Sequence, residues 1–127
     1  MKAIIMLVTP LLLIGCATMN TVKSGKDSGT AVVYETTKDN AYSYAKKILR
    51  EVGGKVSSES EEKGEIFAVT GAEVGSYGSY IGIWVQSVGE KKTEVTVYTR
   101  RVLATQLTTG ISESDFHKKF KLYLDSE

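Results

Sequence analysis

Apolar residues fall along this chain in several different rhythms, and each rhythm predicts a different element. From Ala3 to Ile14 the run AIIMLVTPLLLI is broken only by Thr9 and Pro10. It falls short of the roughly 20 apolar residues of a membrane span, and Pro10 removes a backbone donor from any helix there. Ala17 to Gly29, ATMNTVKSGKDSG, is polar and without period, which predicts a flexible tether. Thr30 to Thr36, TAVVYET, is β-prone and predicts a strand. Next, Ala41, Tyr44, Ala45, Ile48, Leu49 and Val52 recur at the spacing of one helical face. Thr36 or Thr37 is placed to cap that helix, and Gly53-Gly54 to stop it.

Alternation takes over after Gly54. Lys55–Ser60 and Glu65–Thr70 predict a hairpin, with Ile66 and Ala68 on one face and Phe67 and Val69 on the other. Ser79–Val88 and Thr93–Arg101 predict a second hairpin around Gly89-Glu90-Lys91-Lys92. Ile81, Ile83, Val85, Val95 and Val97 share its apolar face, whereas Tyr80, Trp84 and Tyr98 fall opposite. Val102–Gly110 extends the last strand and then loops. A closing helix follows. Ser112 and Asp115 form a variant capping box, Ile111 and Phe116 a hydrophobic staple, and Phe116, Phe120, Tyr123 and Leu124 an apolar stripe. The sum is an α+β fold in the order β-α-β-β-β-β-α: an antiparallel sheet of about five strands with two helices on one face. Residues 30–127 form its single domain.

The chain's start changes this picture. Met1-Lys2, the apolar run and a small residue at its end are the parts of a secretory signal, covering residues 1–15. Leu13-Ile14-Gly15-Cys16 resembles a bacterial lipobox. That resemblance implies cleavage between Gly15 and Cys16 and a diacylglycerol on the Cys16 sulfur. The mature protein would then be tied to a membrane by lipid, since each buried methylene contributes about 0.8 kcal/mol. Ala17 stands where an Asp would imply inner-membrane retention in enteric-type bacteria. The expected location is therefore the outer membrane, facing the periplasm.

Composition then narrows the function. Without Lys2 the mature part has as many basic as acidic side chains, and no basic stripe, so nucleic acid is not an expected partner. Cys16 is the only cysteine, and once acylated it leaves no thiol for a disulfide, a nucleophile or a zinc site. The glycines of GAEVGSYGSYIG precede a strand, whereas a phosphate loop precedes a helix. Asp115 lies two residues from His117 and so not on the same helical face, and His117 reads as a solvated helix residue. Glu59, Glu61, Glu62 and Glu65 surround Lys63 without calcium-loop spacing and read as a charged turn. No catalytic group, metal or cofactor is expected.

Tyr77, Tyr80, Trp84 and Tyr98 are the remaining candidates. If both helices cover the Ile/Val face, these rings form an exposed contact surface. The stretch AVVYETTKDNAYSYAKKILREVGGKVSSES, and EVTVYTRRV before a final helix, resemble small proteobacterial lipoproteins with a single domain of unknown function. More distantly, the layout is similar to the helix-grip domains of the lipoprotein C subunit of the Bam assembly machinery. The resemblance implies a binding or scaffolding role toward another envelope protein, with no cofactor. The alternative is a small apolar ligand held between sheet and helices, in a cavity lined by Tyr44, Ile48 and Phe120.

Overall fold

A computed structural model describes residues 19–70, 79–101 and 111–126. Gly15, Cys16, Tyr77 and the Val102–Gly110 stretch lie outside the described residues. The elements are α1 (Met19–Lys23), β1 (Thr30–Tyr34), α2 (Lys38–Glu51), β2 (Lys55–Ser60), β3 (Glu65–Thr70), β4 (Ser79–Gly89), β5 (Lys92–Arg101) and α3 (Glu113–Asp125). A short 3-10 turn, Lys26–Ser28, joins α1 to β1. The strands form one antiparallel sheet in the order β1-β5-β4-β3-β2. The expected α+β architecture is the observed one, with α2 and α3 as its two main helices.

Local chemistry accounts for the element ends. Thr37 caps α2, its Oγ1 accepting from the Asn40 amide at 3.2 Å. Past the other end, Gly53 turns the chain at φ +74°, a left-handed conformation that a side chain would strain. Ser112 caps α3 by accepting from the Asp115 amide at 3.1 Å. Ile111 and Phe116 are buried in one core, as the staple requires. The β4–β5 hairpin closes through Glu90 and Lys91, and Lys91 takes the positive φ of 54°.

The main core lies between the sheet and the pair α2 and α3. Ile48, Leu49, Ile66, Ile81, Ile83, Val85, Val95, Val97, Phe116 and Phe120 are buried in it. Phe120 is its keystone, with ring centroids 4.2 Å from Tyr34 and 5.7 Å edge-on from Tyr44. Two outer links steady the helices. The Tyr42 hydroxyl donates to Glu59 Oε1 at 2.7 Å, and Lys46 pairs with the same carboxylate at 3.0 Å, tying α2 to β2. Tyr123 on α3 donates to Glu51 on α2.

The other face of the sheet differs from the sequence reading. The segment read as a flexible tether is, over 19–29, a helix and a 3-10 turn, and Val22 of that helix is buried against the sheet. A five-residue helix has too few internal bonds to stand alone. Tertiary packing of Met19 and Val22 holds it, and one buried valine in a polar stretch leaves no period to read.

Candidate functional site

Trp84 is central to the surface expected to be open, and it is 5% exposed. Its indole packs edge-to-face on Phe67 at 5.6 Å, and Val22 completes a second small core. Met19, Tyr80 and Tyr98 are half-buried around that core. Gly82 makes room for the arrangement. A Cβ there would lie 2.7 Å from Trp84 Cη2 and 2.9 Å from Val22 Cγ1. The Lys23 ammonium stands 5.5 Å above the Phe67 ring. Trp84 is therefore interior, and Tyr80 and Tyr98 are brought together with it, half-buried, on the face that α1 covers. The physical reason is that the segment before β1 supplies the apolar cover that the sequence reading left out.

Buried, too, is His117, which the sequence placed in solvent; it is 8% exposed. It is three residues before Phe120 and next to Phe116, so its ring turns inward toward β1. The Nε2–H donates to the Thr30 carbonyl at 2.9 Å. That fixes Nδ1 as the acceptor, and the Tyr34 hydroxyl donates to it at 2.5 Å. Burial pushes the imidazole below its ordinary value, against the smaller opposing pulls of the Thr30 carbonyl and Glu113. Burial likewise pushes the Tyr34 phenol up to about 12, so it stays a donor. Both nitrogens are occupied by structural partners, which suits a pin between α3 and β1 rather than a proton shuttle.

The pin has a pH signature. A histidine with a lowered folded value leaves the unfolded chain binding more protons, so stability falls as acid is added. The loss begins near the unfolded value of about 6.5 and continues down to His117's lower folded value. Glu59 adds a separate loss at lower pH. The Tyr42 hydroxyl and Lys46 hold its carboxyl below the ordinary range, so its contribution exists above that range and disappears as pH falls through the folded value. The urea midpoint should drop between pH 7 and 5 in the wild type and drop less in His117→Phe. Equal profiles for the two proteins would contradict the assignment.

Between α3 and β1 the surface opens into a groove of about 660 Å³. Thr30, Val32 and Tyr34 line it from the strand, and Ser114, His117, Lys118, Lys121 and Leu122 from the helix. Leu122 is 69% exposed, a high value for a leucine. Lys118 and Lys121 set two cations on an otherwise apolar trough. Sequence reasoning missed this groove. Its only local signal was Leu122, which lies off the apolar stripe of α3.

The other candidates are accounted for. Glu59 is committed to Tyr42 and Lys46, while Glu61 and Glu62 are exposed at the β2–β3 turn. Among the described residues no group of three His, Cys, Asp or Glu could hold a metal ion. Of the glycine-rich stretch, residues 71–78 lie outside the described residues, and strand β4 follows them. Tyr44, Ile48 and Phe120, expected to line a cavity, pack in the main core, Tyr44 edge-on to Phe120 at 5.7 Å. No described helix is long and apolar enough to cross a membrane. No family model, curated protein or solved structure matches the chain.

Proposed function

We propose that this is a lipid-anchored envelope protein that acts, without catalysis, by binding another protein in the groove between β1 and α3. The groove itself carries the reading. It is a concave apolar surface, with Leu122 exposed, Val32 half-buried and Tyr34 buried at its base, and the small domain holds it in place with the Tyr34–His117 pin. Such a surface exposed on a folded domain marks a contact site more often than a defect. Anchorage through Cys16, facing the periplasm from the outer membrane, is supported by the Leu13-Ile14-Gly15-Cys16 sequence and by Ala17. A tether raises the local concentration of a membrane-bound partner, so modest affinity suffices. The resemblance to small proteobacterial lipoproteins agrees with this role.

The test places a photo-crosslinking residue at Leu122 in cells, with Val56 on the opposite sheet edge as control. A discrete adduct at 122 and none at 56 is the expected result. Equal labelling at the two positions, or none at 122 in folded protein, would remove the groove from consideration. In the same cells Cys16→Ser should release the protein from the membrane fraction. Retention there would end the anchor reading.

A further inference from the structure

The two edges of the sheet are built differently. At one edge, β2 carries exposed Lys55 and Glu59, and its register with β3 shifts between Val56 and Ser58. Charges and bulges are the usual protection of an edge against strand addition. At the other edge, β1 is Thr-Ala-Val-Val-Tyr, with no charge and an unbroken register against β5. Its Val33 is 52% exposed.

The backbone of β1 can be oriented from the ladder. Val85 donates its N–H to the Gly64 carbonyl on the β3 side at 2.7 Å. In an antiparallel ladder the N–H and C=O of one residue point the same way, and the direction alternates along the strand. Trp84 therefore points toward β5 and meets Thr96, which leaves Val97 pointing toward β1. Thr99, two residues on, agrees: its N–H leaves β5 on the β1 side, toward Glu113 Oε2 at 3.0 Å. Thr30, Val32 and Tyr34 oppose Val97, Val95 and Thr93, so they are spent on β5. Ala31 and Val33 then direct their N–H and C=O groups outward, where no described strand meets them.

A strand laid along that edge would put every second side chain over the groove, beside Val32 and Tyr34 and under Lys118 and Lys121. The charges facing this place select the occupant. Glu113 is committed to Thr30 Oγ1 and the Thr99 amide. Lys121 shares a solvent-exposed pair with Asp125 at 3.3 Å, a weak contact. Lys118 has no carboxylate within ion-pair distance among the described residues. A second copy added through β1 in two-fold fashion would bring its own Lys118 and Lys121 against these, like charge on like. From this we infer that the groove takes an extended segment of a partner protein as a sixth strand on β1, with apolar and acidic side chains alternating on its groove-facing side. This rests on the binding reading above and names the partner's chemistry.

The test uses the full lipidated chain in nanodiscs and a blocked nine-residue peptide. The peptide has threonine at odd positions, with valine and glutamate alternating between them. Residue-resolved amide exchange should slow at least tenfold at Ala31 and Val33 and stay unchanged at Val32. A peptide with lysine for glutamate should need at least tenfold more to do the same. Val33→Pro, which removes an outward N–H and no ladder bond, should abolish the effect. Lys118→Glu with Lys121→Glu should invert the peptide preference, and serves as the second variant if Val33→Pro disturbs the fold. Several results would overturn the inference. Binding that leaves the Ala31 and Val33 amides exchanging freely would assign the groove to an acyl chain. Protection that rises with protein concentration in the absence of peptide would assign it to a second copy. Indifference to millimolar peptide would exclude strand addition. An adduct from position 122 that survives Val33→Pro would then leave the groove as a binding site of another kind, while loss of the adduct in the wild type would remove that site as well.

Discussion

Trp84→Ala should destabilise the domain by about 3–5 kcal/mol, the range for deleting a buried large aromatic. The side chain lies under α1, so the loss has two parts. Phe67 and Val22 lose their common partner, and a cavity is left that only local collapse can fill. Helix α1 then has little to hold it, and residues 19–25 should become open to protease before the rest unfolds. The measurement is urea unfolding followed by circular dichroism, because Trp84 is the chain's only tryptophan and its fluorescence is lost with it. Had Trp84 been a surface contact residue, the change would stay within about 0.5 kcal/mol. A shift that small, with 19–25 still protected, would restore the open-surface reading.

Phe120→Ala should cost a similar 3–5 kcal/mol, for a different structural reason. The phenyl ring is fully buried where α3, α2 and β1 meet, against Tyr34 and Tyr44. Removing it loosens the contact that seats α3 on the sheet. Because α3 is one wall of the groove, the variant should lose crosslinking from position 122 even under conditions where it remains folded. Typical domains of this size are stable by only about 5–15 kcal/mol, so the variant should unfold at a far lower urea concentration. A midpoint near that of the wild type would mean that Phe120 is not the residue joining the two helices to β1.

Much of the scaffold was legible because its signals are local. The 3.6-residue spacing from Ala41 to Val52, the Thr37 cap and Gly53 define α2 without any tertiary contact. Alternation in Ser79–Val88 and Thr93–Arg101 put Ile81, Ile83, Val85, Val95 and Val97 on the buried face. Ser112, Asp115 and the Ile111–Phe116 pair marked the start of α3. What stayed hidden depends on distant partners. Val22 is buried only because Trp84, Phe67 and Gly82 form a seat for it. His117 is buried only because Thr30 and Tyr34, far earlier in the chain, satisfy both of its nitrogens. The groove depends on β1 being an edge strand, and no residue within TAVVY encodes that. It follows from β1 pairing with β5.

That pairing also orders events in time. Thr30 meets Val97, so β1 must wait for β5 before it can join the sheet. Closing so long a loop costs entropy that local hairpins such as β4–β5 avoid, and non-local pairings of this kind slow folding. A chain made N-terminus first holds β1 ready before β5 has been synthesised. During that interval TAVVY is an uncharged, β-prone segment with neither edge paired, the sort of sequence that seeds association between unfinished chains. Any truncation before Lys92 makes the interval permanent. The four strands β2 to β5 are contiguous in sequence and zip locally, whereas β1, with the groove it lines, is assembled only once β5 has been made.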